Sequence, residues 1–468
     1  IAFNALRESM PRFTLDVSAS GNGLLGQFLV PTGLSIDTVW GHVERDSLIR
    51  GGLHALALNT GGLVIDTIGL TLKERGQLMD YRLHIGNRPG TLDEFARVNV
   101  NGYLGNNRVS AYLQQHNIKG EQGYRIGMTA AMMDSTVSVH FTPLKATIAY
   151  LPWTLNNDNY IDYNLSTMHV AANLKAQSAQ SSIMARTEEL PDGNEQLRLA
   201  IENLHIEDFL RMWMFAPPIK GTVSSDMTVL YQEGVFHGNG GLQLEDFYYA
   251  NTRVGDFDFN VRGSYGMTTG KVNADAGLKI DGREVVTAYA RMGTAGEMTA
   301  DSVGVRLTRF PLKLANAFLG NSALLGGYLN GDMRMDSTFS SPVFNGGISM
   351  DSATVSIPIA AANLRMDTAR ITVKDNVLHV DNFDIWAANK NPLTLDGTVN
   401  AQKFSDMYFD LSANADNMQL INTNSRSKGD IYGKIFVSLG ATVKGPMKHM
   451  DVKANLNLLG KTDATYRL

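Results

Sequence analysis

Apolar and polar residues alternate in short runs, and this alternation constrains the fold of the chain more than any other feature. In the stretch GDMRMDSTFSSPVFNGGISMDSATVSIP, Met333 and Met335 fall on one side of an extended backbone, with Asp332 and Arg334 on the other. Similar runs recur along the 468 residues and end in Gly, Asn, Asp or Pro, which favour turns. Strands with one apolar and one polar face are typical of an antiparallel sheet that is wet on one side.

Helix signals are few and short. GTLDEFAR carries a capping box, Thr91 with Glu94 three residues later. LHIEDFLRMWMFAPP predicts about two helical turns that end at Pro217, and FPLKLANAFLG predicts one or two turns from about Pro311 to Gly320. The sequence therefore predicts an all-β fold with a few short helical turns.

A weak internal repeat divides the chain. A glycine opens an alternating strand four times, at intervals of 119, 110 and 102 residues: Gly102, Gly221, Gly331 and Gly433. A short helix or its equivalent is expected before each one, beginning near Leu92, Ile206, Leu312 and Met418. We expect a β-rich segment over residues 1–90, repeat units over 91–205, 206–310 and 311–416, and a further domain from 417 to 468. Stacked units of this kind share one continuous apolar interior.

The size of the predicted sheet indicates how that interior is used. Roughly 30 strands spaced about 4.8 Å apart would extend well over 100 Å, and open sheets rarely exceed about ten strands without curling or splitting. We therefore expect an elongated, curled sheet whose apolar side lines a groove or fills a core. Methionine suits both, since it packs in cores and on adaptable apolar surfaces, so both interpretations stay open.

Composition excludes several classes of protein. The net charge is −5 and the pI is near 6.1, so no basic footprint for nucleic acid is present. There is no cysteine, which excludes disulfides, thiolate metal sites and cysteine nucleophiles. A membrane-spanning helix needs a run of about 18 apolar residues, and the sequence contains none, so no such helix is predicted. Because the chain starts without Met and stops within a strand-like pattern, we expect it to be an internal part of a longer protein.

Motifs for catalysis or cofactor binding are weak. GNGLLG matches a dinucleotide-binding pattern through Gly21, Gly23 and Gly26, but the following QFLVPTG predicts a strand where that site needs a helix. RGSYG around Ser264 lacks the spacing of a nucleophile elbow. We therefore predict no cofactor and no enzymatic activity.

Metal-binding patterns are equally weak. The ten histidines are scattered without zinc-site spacing. Asp256 and Asp258 share a strand face and could form a paired carboxylate or calcium site, although solvated strand faces explain them better. The stretch NNDNYIDYN lacks the residue order of a calcium loop. We predict no metal site.

Several long stretches resemble the TamB and AsmA-like family, in the style of its Bacteroidota members. They are NPLTLDGTV, FPLKLANAFLG, LNGDMRMDSTFSSPVFNGGISMDSATVSIP, TPLKATIAYLPWTLNNDNYIDYN, and DLSANADNMQLINTNSRSKGDIYGKIFVSLGATVKGPMKHMDVKANLNLL. The order of these stretches along the chain is more specific for the family than the residues at individual positions. By this resemblance, the region from 417 to 468 would begin the C-terminal TamB domain of the family.

The resemblance implies a periplasmic β-taco, a long sheet folded around an apolar groove. The full-length protein would carry an inner-membrane anchor, absent from this chain, and would engage an Omp85-type outer-membrane barrel that is TamA-like. The implied cargo is glycerophospholipid moving between the two membranes, and the family is also associated with outer-membrane protein assembly. Residues expected to line the groove are Phe257, Phe259, Met333, Met335, Phe344, Ile348, Met350, Val355, Ile357, Ile371, Val373, Leu393 and Leu395.

Three hypotheses follow. The first is a lipid conduit without catalysis, in which the apolar groove shields acyl chains that would cost about 0.8 kcal/mol per CH₂ in water. The second is a scaffold for outer-membrane proteins, in which an open sheet edge pairs with a client strand. The third is a structural solenoid or stalk with a filled interior and no ligand.

Overall fold

The computed structural model of the protein describes residues 11–60, 64–90, 92–210, 216–293, 302–320, 322–336, 342–360, 362–366, 370–424, 426 and 430–466. These residues form thirty strands, and the strand pairings found among them are antiparallel. The predicted all-β fold with a few short helical turns is confirmed. The chain separates into two compact units, unit 1 (Ile1–Tyr231) and unit 2 (Gln232–Leu468). The predicted division into repeat units stays a prediction.

Fifteen strands belong to unit 1, and the last of them reaches its boundary. They are β1 (Phe13–Ser20), β2 (Thr38–Arg45), β3 (Ile49–Asn59), β4 (Val64–Arg75), β5 (Leu78–Gly86), β6 (Arg97–Gly105), β7 (Arg108–His116), β8 (Gln122–Met133), β9 (Thr136–Ile148), β10 (Leu151–Leu155), β11 (Tyr160–Asn164), β12 (Val170–Gln177), β13 (Ser182–Glu189), β14 (Glu195–His205) and β15 (Ile219–Gln232).

Fifteen more strands form unit 2. They are β16 (Val235–Tyr249), β17 (Thr252–Gly266), β18 (Val272–Ile280), β19 (Arg283–Met292), β20 (Ser302–Pro311), β21 (Leu324–Asp336), β22 (Val343–Ile357), β23 (Ala362–Met366), β24 (Arg370–Lys374), β25 (Val377–Ile385), β26 (Leu393–Asn400), β27 (Tyr408–Thr423), β28 (Ile431–Pro446), β29 (Asp451–Leu458) and β30 (Asp463–Tyr466).

The described helices are all short. The α-helices are Leu24–Leu29, Ile206–Leu210 and Asn316–Leu319, and the 3₁₀ turns are Val30–Thr32, Asp93–Phe95, Leu312–Ala315, Pro358–Ala360 and Phe404–Asp406. Helical turns therefore occur near three of the four predicted positions. Thr91 of the predicted capping box lies outside the described residues, as do residues 211–215 of the predicted helix before Pro217.

Two local predictions are wrong. The residues after the glycine motif form the helix Leu24–Leu29 and a 3₁₀ turn, not a strand, because LLGQFL contains no β-branched residue. Met418, where the fourth short helix was expected, lies inside the long strand β27. Met418 is 4% exposed there, and its apolar contacts outweigh any local helix signal.

Three positions in the sheet are each filled by two short strands. β10 and β11 both pair with β9, β23 and β24 both pair with β22, and β29 and β30 both pair with β28. In the first case, the loop between the two short strands is held in the ladder by amides. Asn156 accepts from the backbone N–H of Lys175 at 2.8 Å, and Asn159 accepts from that of Phe141 at 2.7 Å.

Buried apolar side chains form separate clusters within each unit. In unit 1, Trp153 is 1% exposed and packs with Ala146, Leu155 and Ala176, while Phe209 from the helix Ile206–Leu210 lies edge-on to its ring. In unit 2, two clusters centre on Val380 with Phe383 and on Ala387, Ala415, Met418 and Val437.

Candidate apolar binding face

One row of direct cross-strand partners crosses most of unit 2 and is apolar at nearly every position. Direct partners in an antiparallel pair point to the same face of the sheet. The row contains Leu242, Phe259, Leu278, Val286, Leu307, Gly331, Ile348, Ile371, Val380, Gly397, Leu411, Val443 and Val452. We call the side of unit 2 that carries this row the apolar face.

The neighbouring row, one residue along each strand, is polar or glycine throughout. It contains Gly241, Asn260, Gly277, Thr287, Arg306, Asp332, Gly347, Thr372, His379, Thr398, Asp410, Lys444 and Asp451. We call the side that carries this second row the polar face. The period-two pattern of the sequence is thus kept in register across thirteen sheet positions, which requires every intervening turn and bulge to preserve it.

All thirteen residues predicted to line a groove lie on the apolar face. Met335 and Phe344 are both predicted residues and pair with each other. Three more predicted residues have an apolar partner, in the pairs Phe257–Leu244, Met333–Val305 and Val373–Leu378. Phe259, Ile348 and Ile371 are members of the row itself. The remaining pairs are Met350–Leu329, Val355–Leu364, Ile357–Ala362, Leu393–Ile385 and Leu395–Phe383. Their role in lipid binding stays a prediction.

A β-bulge brings Met350 and Val355 to the same face although they are five residues apart. Ser352 adopts a φ of 52°, and the register shifts at this point so that Met350 opposes Leu329 and Val355 opposes Leu325. A regular strand would put residues five apart on opposite faces. Ile359, two residues beyond Ile357, lies in a 3₁₀ turn and is 64% exposed.

The apolar face has an open part and a filled part. On β17 and β20, Phe259 and Val305 are 39% and 40% exposed. Further along, Val380 is 7% and Phe383 5% exposed, with Met350, Leu395 and Leu411 packed against them. A flat single layer would leave these side chains in water, so their burial indicates that the sheet bends towards the apolar face in the filled part. The apolar face is therefore open to solvent on β17 and β20 and packed like a core around β25.

Unit 1 carries an apolar row of its own, for which the sequence interpretation named no lining residues. It runs from β1 to β8 through Val17, Gly41, Leu53, Leu70, Leu83, Val100, Leu113 and Ile126. Leu53 is 46% exposed. At β9 and β10 the cluster around Trp153 fills the same side. The alternation in LTLKER, which contains Leu70, could have found this row.

The polar face is held together by exposed ion pairs. Arg253 lies 3.3 Å from Asp246, 2.8 Å from Asp256 and 3.6 Å from Asp281. The hydrogen bond that Arg253 donates to Asp246, with the charges of the other two aspartates, raises the pKa of its guanidinium. Asp258 lies 3.7 Å from Lys279. Asp256 and Asp258, the candidate paired carboxylates, therefore each have a cationic neighbour.

The described residues contain no group of three or more His, Asp or Glu arranged to hold a metal ion. In NNDNYIDYN the amides of Asn156 and Asn159 are occupied by backbone hydrogen bonds.

The glycine motif is likewise structural. A Cβ at Gly21 would meet the carbonyl oxygen of Ile36 at 1.7 Å, and one at Gly26 would meet that of Gly21 at 1.9 Å. These glycines allow close backbone packing, and the antiparallel β1–β2 pair is not the unit that binds a dinucleotide.

Fold and site together define an antiparallel β-sheet protein with a long apolar face. Residues 381–467 match the family model of the TamB C-terminal domain. This match supports a TamB-like family for the chain and a TamB-like role in the cell envelope. The matched region runs from within β25 to β30 and includes Phe383, Ala415, Met418 and Val437 of the filled part. No curated protein and no solved structure matched the chain.

Within the part of the chain that the structure describes, no helix has the length and hydropathy needed to cross a membrane.

Proposed function

We propose that the apolar face binds the acyl chains of glycerophospholipids and carries them through the periplasm between the inner and outer membranes. The observation that carries this proposal is the row of thirteen cross-strand partners in unit 2, apolar except at two glycines, together with the exposure of Phe259 and Val305 in the open part of the apolar face. Exposed apolar surface of this extent in a soluble sheet marks an interaction site. Each acyl CH₂ moved from water to such a surface gains about 0.8 kcal/mol.

The open part is the expected entry for lipid. Phe259 and Val305 already present over a third of their surface to solvent, so charge there should disturb the fold little. Charge at Met335, which is 6% exposed, would instead bury an unpaired ion. The partner barrel of the Omp85 type and the inner-membrane anchor belong to the same proposal through the family resemblance.

The test is mass spectrometry of organic extracts from the chain, expressed in the periplasm and purified without detergent. We expect phospholipid in a fixed ratio to protein, and its loss from a Phe259→Asp, Val305→Asp double variant with unchanged circular dichroism. Asn260→Asp is the matched control, because it adds one charge next to Phe259 on the polar face and should keep the lipid. A folded wild-type chain free of lipid, or equal loss from the control, would contradict the proposal.

One observation favours the alternative role as a scaffold for outer-membrane protein assembly. All residues of β29 are exposed, with Val452, Leu456 and Leu458 at 61%, 62% and 68%. Within the described residues its ladder partner is β28. A strand of this kind can pair with a further strand. Crosslinks from a photoreactive residue at position 455 to client strands, unaffected by the charges at Phe259 and Val305, would support this role over lipid transport.

A further inference from the structure

The polar face of unit 2 carries two adjoining hollows of about 390 and 430 Å³. Both are lined by Arg306 of β20 and Asp332 of β21, which are direct cross-strand partners. The first extends towards Tyr289 and Arg334, and the second towards Arg370. Since the acyl-binding proposal concerns the opposite side of the same strand layer, these hollows are not explained by it.

Glycines form the floor of the hollows. A Cβ at Gly304 would meet the Tyr289 ring at 2.3 Å, so the ring lies directly over this glycine. A Cβ at Gly347 would meet Nε of Arg370 at 3.2 Å, so the Arg370 guanidinium lies over that one. Gly347 is in turn the cross-strand partner of Asp332. Because Gly304 and Gly347 have no side chains, the side chains around them enclose a space at the centre of the polar row.

Cations predominate around this space. Among the described residues that line the hollows, Arg306 and Arg370 contribute two positive charges, against one negative charge from Asp332. By contrast, Arg253, Arg291 and Arg309 of unit 2 each have an aspartate oxygen within 2.8 Å. Among the residues that the structure describes, no carboxylate forms an ion pair with Arg306 or Arg370, so their charges are available to a ligand.

We propose that these hollows form a binding site for a phosphate group, carried by a soluble phosphate ester or by a lipid headgroup. The guanidinium fork matches phosphate oxygens in a bidentate manner, and such charge-assisted bonds are stronger than neutral ones. Asn345 and Thr287 line the first hollow and can donate further hydrogen bonds. Asp332 is the one acidic group among the described residues of this lining, and it opposes anion binding.

Calorimetric titration at low ionic strength tests the site with inorganic phosphate and glycerol phosphate, and flotation tests it with phosphatidylglycerol against phosphatidylcholine vesicles. We expect saturable phosphate binding, weakened about tenfold by Arg306→Gln or Arg370→Gln because each removes a charge-assisted bond. Asp332→Asn should strengthen binding. Arg253→Gln, which removes a cation already held by aspartates, should leave it unchanged.

The two sources of phosphate give different results. Binding of the soluble compounds alone identifies a soluble ester, whereas arginine-dependent flotation with phosphatidylglycerol identifies a headgroup. Absence of saturable binding to every probe would overturn the proposal. Equal weakening by Arg253→Gln and Arg306→Gln would also overturn it, because the effect would then follow net charge and not the hollows. Neither result bears on lipid extraction from the apolar face.

Discussion

Truncation of one phenylalanine in the filled part of the apolar face and one in the open part should have very different costs. Phe383 is 5% exposed and lies in the cluster with Val380, whereas Phe259 is 39% exposed. Phe383→Ala removes a fully packed ring and leaves a cavity, for a loss of about 3–5 kcal/mol. In Phe259→Ala, roughly 65 Å² of burial is lost, or about 1.5 kcal/mol at about 25 cal/mol per Å².

Hydrogen-exchange mass spectrometry measures these losses locally, through peptides covering β17 and β25. We expect Phe383→Ala to lower the opening free energy of β25 by at least about twice the amount by which Phe259→Ala lowers that of β17. Equal losses at the two sites would refute the distinction between an open and a filled part, and with it the choice of Phe259 and Val305 as lipid-contacting positions. Circular dichroism of both variants controls for global unfolding.

Three further outcomes are expected. Trp153→Ala should lower the opening free energy of β9 to β12 by about 3–5 kcal/mol, because its ring is buried in the unit 1 cluster, and exchange rates there provide the measurement. The hydrogen bonds donated by the side chain and then the backbone of Arg88 lower the pKa of Asp66, so this pair stabilises the fold above the unfolded pKa of about 3.9 and its contribution is lost as the pH falls through the folded value. The free energy of unfolding of Asp66→Asn, measured across a pH series, should therefore be lower than that of wild type at neutral pH. The two values should converge in acid. Gly327→Ala should cost more than about 1 kcal/mol, since φ is +81° and the added Cβ would lie 2.2 Å from a carbonyl oxygen, whereas Gly440→Ala, which meets open space, should leave the urea midpoint nearly unchanged.

Much of the local structure could be predicted because period two is a strong signal. GDFDFNVRG lies in β17, NPLTLDGTV enters β26 at Leu393, and ARITVKDNVLHVDNFDI contains β24 from Arg370 and then β25. FNGGISMD and the first five residues of ATVSIPI lie in one strand, β22, whereas Pro358 and Ile359 lie in a 3₁₀ turn. Their continuity depends on the bulge at Ser352, which no residue type in the run specifies.

One failure occurs where burial decides the outcome. Met418 is fixed in β27 by its packing with Ala415 and Val437, contacts that the linear sequence does not show. There a weak local preference was overruled by tertiary contacts. The helix Leu24–Leu29 is different, because none of its residues is buried and its local sequence LLGQFL contains no β-branched residue.

The sequence by itself determined the strands and, through their alternation, which residues share a face. Thirteen predicted positions, from Phe257 to Leu395, lie on one side of unit 2 because side chains alternate along every strand and cross-strand partners share a face. Only the tertiary structure decided how exposed each position is. Phe259 and Phe383 have the same chemistry and the same face, but bending of the sheet covers one and leaves the other open to solvent. That bending arises from bulges and from contacts between distant strands, neither of which an alternating pattern encodes.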